Sequence, residues 1–315
     1  MTTTTTTTTT IVYGRHGPPA CRTGQLSIVS FNILSQACLD AHVACGQEDR
    51  QYGHVAPACR AWRHRLPLIV SLLTGMSPSI VCLQEVDPDT FSSDFDEWMK
   101  ARGYASVLQD SRHGVWFVNA ILYRSDQVSV VWQESRSRAL LVELRTARGD
   151  SVLVGNLHLQ AMPAEAPTRF CQARNTLKRL RHRLETTGGD PTAARIVLCG
   201  DFNADDGGSV SELLRQGSME PRHVDAESGT VVNDEEFQHP FRFEKVTGSP
   251  APSYVTPGHS HLVDLIFVQN LKVDAVLNPL DGAEELDQVT RADVPPSAAW
   301  PSDHLPVGAL LTIMR

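Results

Sequence analysis

The segment "RIVLCGDFNA", at residues 195–204 of this 315-residue chain, ends an apolar run on two polar side chains. Side chains alternate between the two faces of an extended chain, so Asp201 and Asn203 point the same way while Phe202 turns back into the core. A carboxylate and a carboxamide are therefore presented together at one edge of a sheet, where they are available for chemistry.

The same pattern recurs along the chain. Polar or ionisable residues lie in, or close, other apolar runs at Asn32, Glu85, Asn156, His158, Asp264, Asp303 and His304. Any one of them alone is typical of a turn or cap. Buried together, Glu85, Asp201 and Asp303 would repel one another and be costly unless a cation offset them. Oxygen ligands suit a hard divalent cation, so the set predicts bound Mg²⁺, with Mn²⁺ as the alternative.

Short β-branched runs and helical stretches must position these residues. The pattern predicts nine strands, at 26–33, 79–84, 117–123, 127–132, 139–144, 151–159, 195–201, 262–268 and 306–313. Apolar residues at three-and-four spacing predict helices at 61–75, 93–102, 168–186 and 208–216.

Strands joined by both hairpin-length turns and helices predict an α+β fold of two packed sheets with helices outside. The segments 223–260 and 281–301 are predicted to be long loops, which are usually functional inside a compact domain. No internal repeat and no linker divides the chain, so we expect one domain over residues 25–315.

Residues 1–24 begin with nine threonines after Met1 and are predicted to form a disordered tail, because they cannot bury enough apolar surface. A mitochondrial transit peptide is the alternative, since no acidic residue precedes Asp40. No run approaches a membrane span and no secretion signal is visible. We expect an intracellular protein, cytoplasmic first, with mitochondrial and nuclear locations as alternatives.

Composition excludes several classes of protein. Seven scattered cysteines without CxxC spacing fit neither a disulfide framework nor a zinc site, which predicts reduced thiols. The formal charge of −8 argues against a general nucleic-acid coat protein, although it does not exclude an RNA substrate.

Six motifs in order carry a family resemblance. They are "FNIL" at 31–34, "LQEV" at 83–86, "NLHL" at 156–159, "GDFNA" at 200–204, "VDLIF" at 263–267 and "PSDHLPV" at 301–307. Together they resemble the endonuclease/exonuclease/phosphatase superfamily, the fold of pancreatic DNase and abasic-site endonucleases. The resemblance spans residues 26–313 and implies a four-layer α/β/β/α sandwich of two mixed sheets.

Within the superfamily, "FNILSQ", "AWRHRLPLIV", "CLQEVD" and "RFCQARNTLKRL" resemble the branch of deadenylases, nocturnin and Angel proteins. The chain shows no leucine-rich repeat or other partner-docking module ahead of the domain, which argues against a subunit of the large deadenylase assembly.

The resemblance implies a role for each motif residue. Glu85 is the expected principal metal ligand, with Asn32 nearby and Asp303 completing the set. Asp201 orients or deprotonates the attacking water, and Asn203 holds water or phosphate. His304, oriented by Asp264, is expected to contact the phosphate. His158 and Asn156 are expected to donate hydrogen bonds to its oxygens. Tyr123 is expected either to approach the phosphate or simply to pack in the core. Whether Asp201 or His304 is the base stays open.

The sequence departs from the pattern in places. Leu265 follows Asp264 where the family usually has Tyr, and His259 and His261 stand where relatives carry an aromatic residue and a glycine. The basic face of the helix at 168–186 is interpreted as a solvated surface rather than a phosphate stripe.

Three functions are therefore expected in decreasing order. The first is a metal-dependent 3′–5′ exoribonuclease acting on RNA. The second is a phosphatase on a small nucleotide, such as the 2′-phosphate of NADP(H), or on a phosphorylated lipid. The third is a catalytically silent binding protein, which is disfavoured because every motif residue is present.

Overall fold

Two mixed β-sheets, flanked by helices, form the architecture of the computed structural model, which describes residues 11–18, 21–44, 52–111, 115–248 and 251–314. The first sheet has the strand order β1 (Ile11–Tyr13), β16 (Leu271–Leu277), β17 (Val307–Ile313), β2 (Gln25–Asn32), β3 (Ile80–Val86), β5 (Val118–Arg124), β4 (Tyr104–Leu108). The second has the order β12 (Glu244–Lys245), β15 (Asp264–Gln269), β9 (Ile196–Asp201), β8 (Ser151–His158), β7 (Ala139–Thr146), β6 (Val128–Arg136).

Helices and short strand pairs complete the described fold. The helices are α1 (Gln36–Ala44), α2 (Pro57–Arg60), α3 (Trp62–Met76), α4 (Glu97–Lys100), α5 (Ala166–Thr186), α6 (Ser209–Gln216) and α7 (Ala283–Asp287). Single π turns occupy Ser92–Asp96 and Gln288–Ala292, and a 3₁₀ turn occupies Pro163–Glu165. The short pairs are β10 (Ser218–Met219) with β11 (Phe237–Gln238), and β13 (Tyr254–Thr256) with β14 (His259–His261). No helix among the described residues is long and apolar enough to cross a membrane.

Three apolar layers hold the sandwich together and confirm the predicted fold class. Ile28, Val154 and Ile266 belong to the layer between the two sheets, where central strands are buried on both faces. Leu73 of α3 packs on the outer face of the first sheet, and Phe170 of α5 packs on the outer face of the second. Each such buried side chain contributes roughly 1.5–3 kcal/mol, so the packing fixes the relative position of the sheets.

All nine predicted strands and all four predicted helices are present. The largest strand error is the end of β6, which runs to Arg136 rather than to residue 132. The helix predicted at 93–102 is a π turn followed by the short α4. The pattern missed β4 and β16. Asn270, at a φ of 53°, turns the chain directly from β15 into β16, so no Gly or Pro separates the two strands.

The predicted tail is partly wrong within its described residues. Ile11–Tyr13 form β1, which pairs in parallel with β16, and the Tyr13 side chain is buried. The three apolar residues after the threonines are long enough to extend a sheet edge, which the composition of the segment concealed. Residues 1–10, including the poly-threonine run, lie outside the described part of the chain.

The basic face of α5 lies on the outside of the second sheet. Arg179 forms an ion pair with Glu134 at 2.6 Å, and Arg183 forms one with Glu143 at 2.8 Å. Both glutamates belong to strands β6 and β7. Ion pairs to the outer strands explain these two arginines without a phosphate ligand, in line with the interpretation of this face as a surface.

Gly200 permits the closest approach of β8 to β9. Its φ is 137°, and a Cβ at this position would overlap the backbone carbonyl oxygen of Leu157. Gly207, by contrast, has no heavy atom near an added Cβ.

We expect Gly200→Ala to lower the free energy of unfolding by about 2–4 kcal/mol, because overpacking and strain at this φ add together. Gly207→Ala, the matched control, should change it by less than about 0.5 kcal/mol. Urea unfolding followed by circular dichroism measures both values. A Gly200→Ala protein as stable as the wild type would contradict the close packing described here.

Candidate active site

Parallel strand pairs bring the polar strand ends together. In the first sheet β2 and β3 run parallel, with Asn32 opposite Gln84, so Asn32 and Glu85 lie at the same edge. In the second sheet β8 and β9 run parallel, with His158 opposite Asp201. The antiparallel β15 begins beside them, with Asp264 opposite Asp201. The carboxyl ends of four strands therefore meet at one end of the sandwich.

A cavity of about 710 Å³ opens at this end. Its walls include the predicted site residues Glu85, His158, Asp201, Asn203, Asp303 and His304. Glu227 and Tyr254 of the predicted 223–260 loop also line it, together with Met162 and Arg169. The segment 281–301 supplies none of the described lining residues.

Strained backbone re-aims the side chains at the cavity. Glu85 has a φ of 62°, Asn203 of 50° and Leu34 of 58°, which are left-handed values for residues other than glycine. The register between β3 and β5 shifts between Leu83 and Val86, so Glu85 lies at a bulge. Such conformations cost about 1–3 kcal/mol each and persist only where the surrounding structure imposes them.

Asn32 links the two sheets at the edge of the cavity. Its Nδ2 donates to Glu85 Oε1 and to Asp201 Oδ2, each at 3.0 Å. The backbone N–H of Ser35 donates to the other Glu85 oxygen at 2.8 Å. One amide thus holds a carboxylate from each sheet, which fixes their separation.

Asp303 approaches from the segment before β17. The hydroxyl of Tyr52 donates to its Oδ2 at 3.0 Å. Burial raises the pKa of Asp303 against the opposing field of His304, and the charge of Glu85 raises it further. The sequence pattern gave no indication of Tyr52, because its contact depends on a loop whose path is set by the tertiary fold.

The guanidinium of Arg65 fixes the two segments that carry Asn32 and Asp303. It is fully buried and donates to the backbone carbonyl oxygens of Ile33 at 2.9 Å and of Pro301 at 3.0 Å. Burial lowers its pKa to about 10, so the guanidinium stays charged at neutral pH. Arg65 therefore positions these two segments by hydrogen bonds to their backbone carbonyl groups, and it does not line the cavity.

Asp264 and His304 form a buried pair, with Asp264 Oδ2 2.7 Å from His304 Nδ1. The other ring nitrogen, Nε2, lies 3.8 Å from Asp201 Oδ2. Burial alone lowers the pKa of His304, but Asp264, with help from Asp201 and Asp303, raises it to about 10. His304 is consequently an imidazolium at neutral pH.

Asp201 is the carboxylate that the other groups converge on. Burial raises its pKa to about 7, while His304 opposes this rise and Asp264 adds to it. The backbone N–H of Asn203 donates to Asp201 Oδ1 at 2.8 Å, and Asn203 Nδ2 donates to the Leu159 carbonyl at 3.0 Å. A carboxylate with a pKa near 7 is poised to accept or release a proton at neutral pH.

The ring of His158 closes the cavity on the side of the second sheet. Its Nε2 lies 3.7 Å from Asp201 Oδ2 and 3.8 Å from Glu85 Oε1. Burial, with the charges of Arg138 and His304, lowers the pKa of His158 to about 3. The cavity therefore holds one neutral imidazole, that of His158, and one charged imidazole, that of His304.

A family model described as the Endonuclease/Exonuclease/phosphatase family matches residues 29–304. The chain belongs to this family. Human 2′,5′-phosphodiesterase 12 is 28% identical over 88% of this chain and 50% of its own length. Carbon catabolite repressor protein 4 homolog 4 of Arabidopsis thaliana is 26% identical over 91% of this chain and 78% of its own. The chain spans about half the length of the curated 2′,5′-phosphodiesterase relatives it matches.

Solved structures of the family share the fold. A crystal structure of ANGEL2, described as a 2′,3′-cyclic phosphatase, superposes with a TM-score of 0.78 at 21% identity, covering 92% of this chain and 96% of that one. The human Nocturnin catalytic domain gives a TM-score of 0.62 at 18% identity, covering 93% and 95%. The resemblance to the deadenylase, nocturnin and Angel branch is thereby confirmed.

Asn156, predicted to contact phosphate, lies between the sheets instead. Its Nδ2 donates to the carbonyl oxygens of Leu83 at 2.8 Å and Ala120 at 2.9 Å, and its Oδ1 accepts from Gln84. The side chain is fully buried and has no donor left for a substrate. Asn156 is two residues before the open end of β8, so strands β3 and β5 of the first sheet cover it, whereas His158 reaches the cavity.

The structure likewise does not bring Tyr123 to the site. Tyr123 pairs with Ile80, at the opposite end of β3 from Glu85. Five residues of extended chain separate the two ends, which corresponds to roughly 16 Å. Tyr123 packs against the layer between the sheets, so the packing alternative is the one the structure supports.

The donor chemistry of the cavity fits a hard divalent cation. Glu85, Asp201 and Asp303 bring three carboxylates to one cavity, whereas His304, as an imidazolium, has no lone pair to offer a metal. Carboxylate and amide oxygens predominate, which suits Mg²⁺ or Mn²⁺ rather than a soft metal. The six described cysteines are free, and only Cys38 among them lines the cavity.

The Asp264–His304 pair can be tested by titration. In metal-free protein, Asp264→Asn should lower the pKa of His304 from about 10, because the carboxylate that raises this pKa most is removed while burial still disfavours the charged ring. NMR titration of the imidazole, assigned with a His304→Asn variant, measures the shift. Asp126→Asn on the surface is the control.

Stability should change in the same window. A histidine whose folded pKa exceeds its unfolded value stabilises the fold fully below the unfolded pKa and loses that contribution as pH rises through the folded one. The free energy of unfolding should therefore fall between about pH 6.5 and 10 in the wild type and less so in Asp264→Asn. A pKa of His304 that is the same in the variant as in the wild type would refute the pairing.

Proposed function

We propose that the protein is a metal-dependent phosphoester hydrolase that acts on RNA, with 3′–5′ exoribonuclease activity as the leading form. The observation that carries this proposal is the convergence of the Asp264–His304 pair and Glu85 on Asp201 in one cavity. A similar protein, the CCR4-Not complex 3′–5′-exoribonuclease subunit Ccr4 of Coccidioides immitis, supports RNA as the substrate class.

His304 and Asp201 divide the work on the phosphate. The imidazolium of His304 presents Nε2–H to a phosphate oxygen and stabilises its growing negative charge. Asp201, with a pKa near 7, orients the attacking water and accepts its proton. Neutral His158 adds one N–H donor from the opposite wall. The Nε2 atoms of His158 and His304 lie 3.7 Å and 3.8 Å from Asp201 Oδ2, so the three groups act on one reacting centre.

Glu85, Asn32 and Asp303 would hold the divalent ion. Held there, a divalent ion would supply a positive charge that polarises a phosphoryl oxygen and lowers the pKa of water. The Asn32 amide supports this assignment, because it donates to both Glu85 and Asp201 and so holds the two carboxylates close together. Tyr52 supports it by orienting Asp303.

Glu85→Ala should reduce hydrolysis of RNA by about 10³-fold or more, because a metal contributes several kcal/mol to the transition state. EDTA should abolish wild-type activity and added Mg²⁺ should restore it, with Mn²⁺ tested in parallel. Circular dichroism checks that the fold is intact. Glu185→Ala, a surface control, should keep activity within about twofold. A Glu85→Ala enzyme with near-native turnover would exclude the assigned metal site.

A substrate panel separates the candidate activities. We expect wild-type protein with Mg²⁺ to produce a ladder from 5′-labelled RNA and a labelled mononucleotide from 3′-labelled RNA, both resolved by gel electrophoresis. The panel contains poly(A), mixed-sequence RNA, 2′,5′-linked oligoadenylate, RNA ending in a 2′,3′-cyclic phosphate, NADPH and a phosphorylated lipid. Release of phosphate from NADPH or the lipid, without cleavage of RNA, would favour the phosphatase alternative. Silence with every substrate would favour a binding protein.

A further inference from the structure

A second depression adjoins the cavity and shares His158 with it. This depression, the Trp116 groove, measures about 310 Å³ and is lined by Val115, Trp116, Phe117 and Arg138 as well as His158. The volume is at the small end of ligand-binding pockets and suits a single nucleoside. A chain whose phosphate lies at His304 and His158 can therefore continue into the groove.

The groove exposes apolar surface beside a strongly polar cavity. Trp116 is 57% exposed and Val115 is 46% exposed, whereas the neighbouring Val118 is buried. Large aromatic side chains are usually buried, and their exposure at the rim of a cavity marks a binding surface. Trp98 is also exposed, but it lies on α4 under Arg102 and lines neither the cavity nor the groove.

Aromatic and cationic groups continue from the cavity to Trp116. The Phe117 ring lies 5.2 Å from the ring of His158, and the Arg138 guanidinium lies 5.9 Å from the Phe117 ring centre. Arg138 is held by Gln160, with Nη2 2.8 Å from Oε1. A planar cation beside exposed rings favours a polyanion that also carries bases.

The polar groups at the base of the groove are occupied by the protein. Gln109 Oε1 accepts from the Asn119 backbone N–H at 2.9 Å, and Gln109 Nε2 donates to the Arg136 carbonyl. Asn119 Nδ2 donates to the Asn156 carbonyl at 3.1 Å. Both amides are buried and already bonded within the protein, so the exposed part of the groove offers mainly a ring for stacking.

We infer that the Trp116 groove binds the nucleoside across the scissile phosphate from the main cavity, with its base stacked on Trp116. This inference rests on the proposed hydrolysis of RNA. Stacking on a ring accepts any base, since every base has a π face. The groove therefore adds affinity for a second nucleotide without selecting its sequence.

The test compares Trp116→Ala with wild type on the dinucleotides ApA and UpU. We expect KM to rise about tenfold for both, with kcat within about twofold, because stacking contributes to binding by this order. Trp116→Phe should recover most of the loss, and Trp98→Ala should behave as wild type. Circular dichroism confirms the fold of each variant.

A binding measurement separates this inference from the proposed function. In the Asp201→Asn background, calorimetry should show that Trp116→Ala raises the Kd for ApA about tenfold. Wild-type protein that binds ApA through Trp116 but cleaves no RNA would overturn only the proposed function. Cleavage of RNA with KM and Kd unchanged by Trp116→Ala would overturn the groove. A loss confined to one base would overturn stacking as its basis.

Discussion

The burial of several carboxylates at one end of the sandwich is the constraint on which the site depends. Asp201, Asp264 and Asp303 are almost inaccessible to water, and Glu85 is only partly exposed beside them. Such charges repel one another in a medium of low polarity. The imidazolium of His304 offsets part of the repulsion. The amide of Asn32 reduces it further, because it donates hydrogen bonds to both Glu85 and Asp201. Such an arrangement, which is costly by itself, would favour the binding of a cation.

Two histidines with opposite protonation follow from this distribution of charge. His304 has a buried carboxylate on Nδ1 and stays charged, whereas His158 has Arg138 and His304 in its surroundings and stays neutral. Burial disfavours the charged form of both rings, so the neighbouring groups decide the difference. At neutral pH the site thus contains a charged histidine, His304, and a neutral histidine, His158.

Strand ends could be predicted from sequence because alternation and apolar runs are local properties. One cavity is lined by four of the residues predicted in this way, namely Glu85, Asp201, Asp303 and His304. Asn156 and His158 share one face of β8, and no local signal says that the first sheet covers Asn156 but not His158. Tyr52 was beyond sequence reasoning, because its contact with Asp303 arises only when distant segments meet.

The paired amides of Asn156 and Gln84 have a consequence for motion. They join the two sheets by hydrogen bonds a short distance below the cavity, and Asn32 joins them again at its edge. The catalytic groups are thus preorganised from within the protein, and a substrate finds their spacing already set. The rim around Met162 and Glu227 takes no part in these hydrogen bonds, so a change of side chain there would leave the spacing around Asp201 in place.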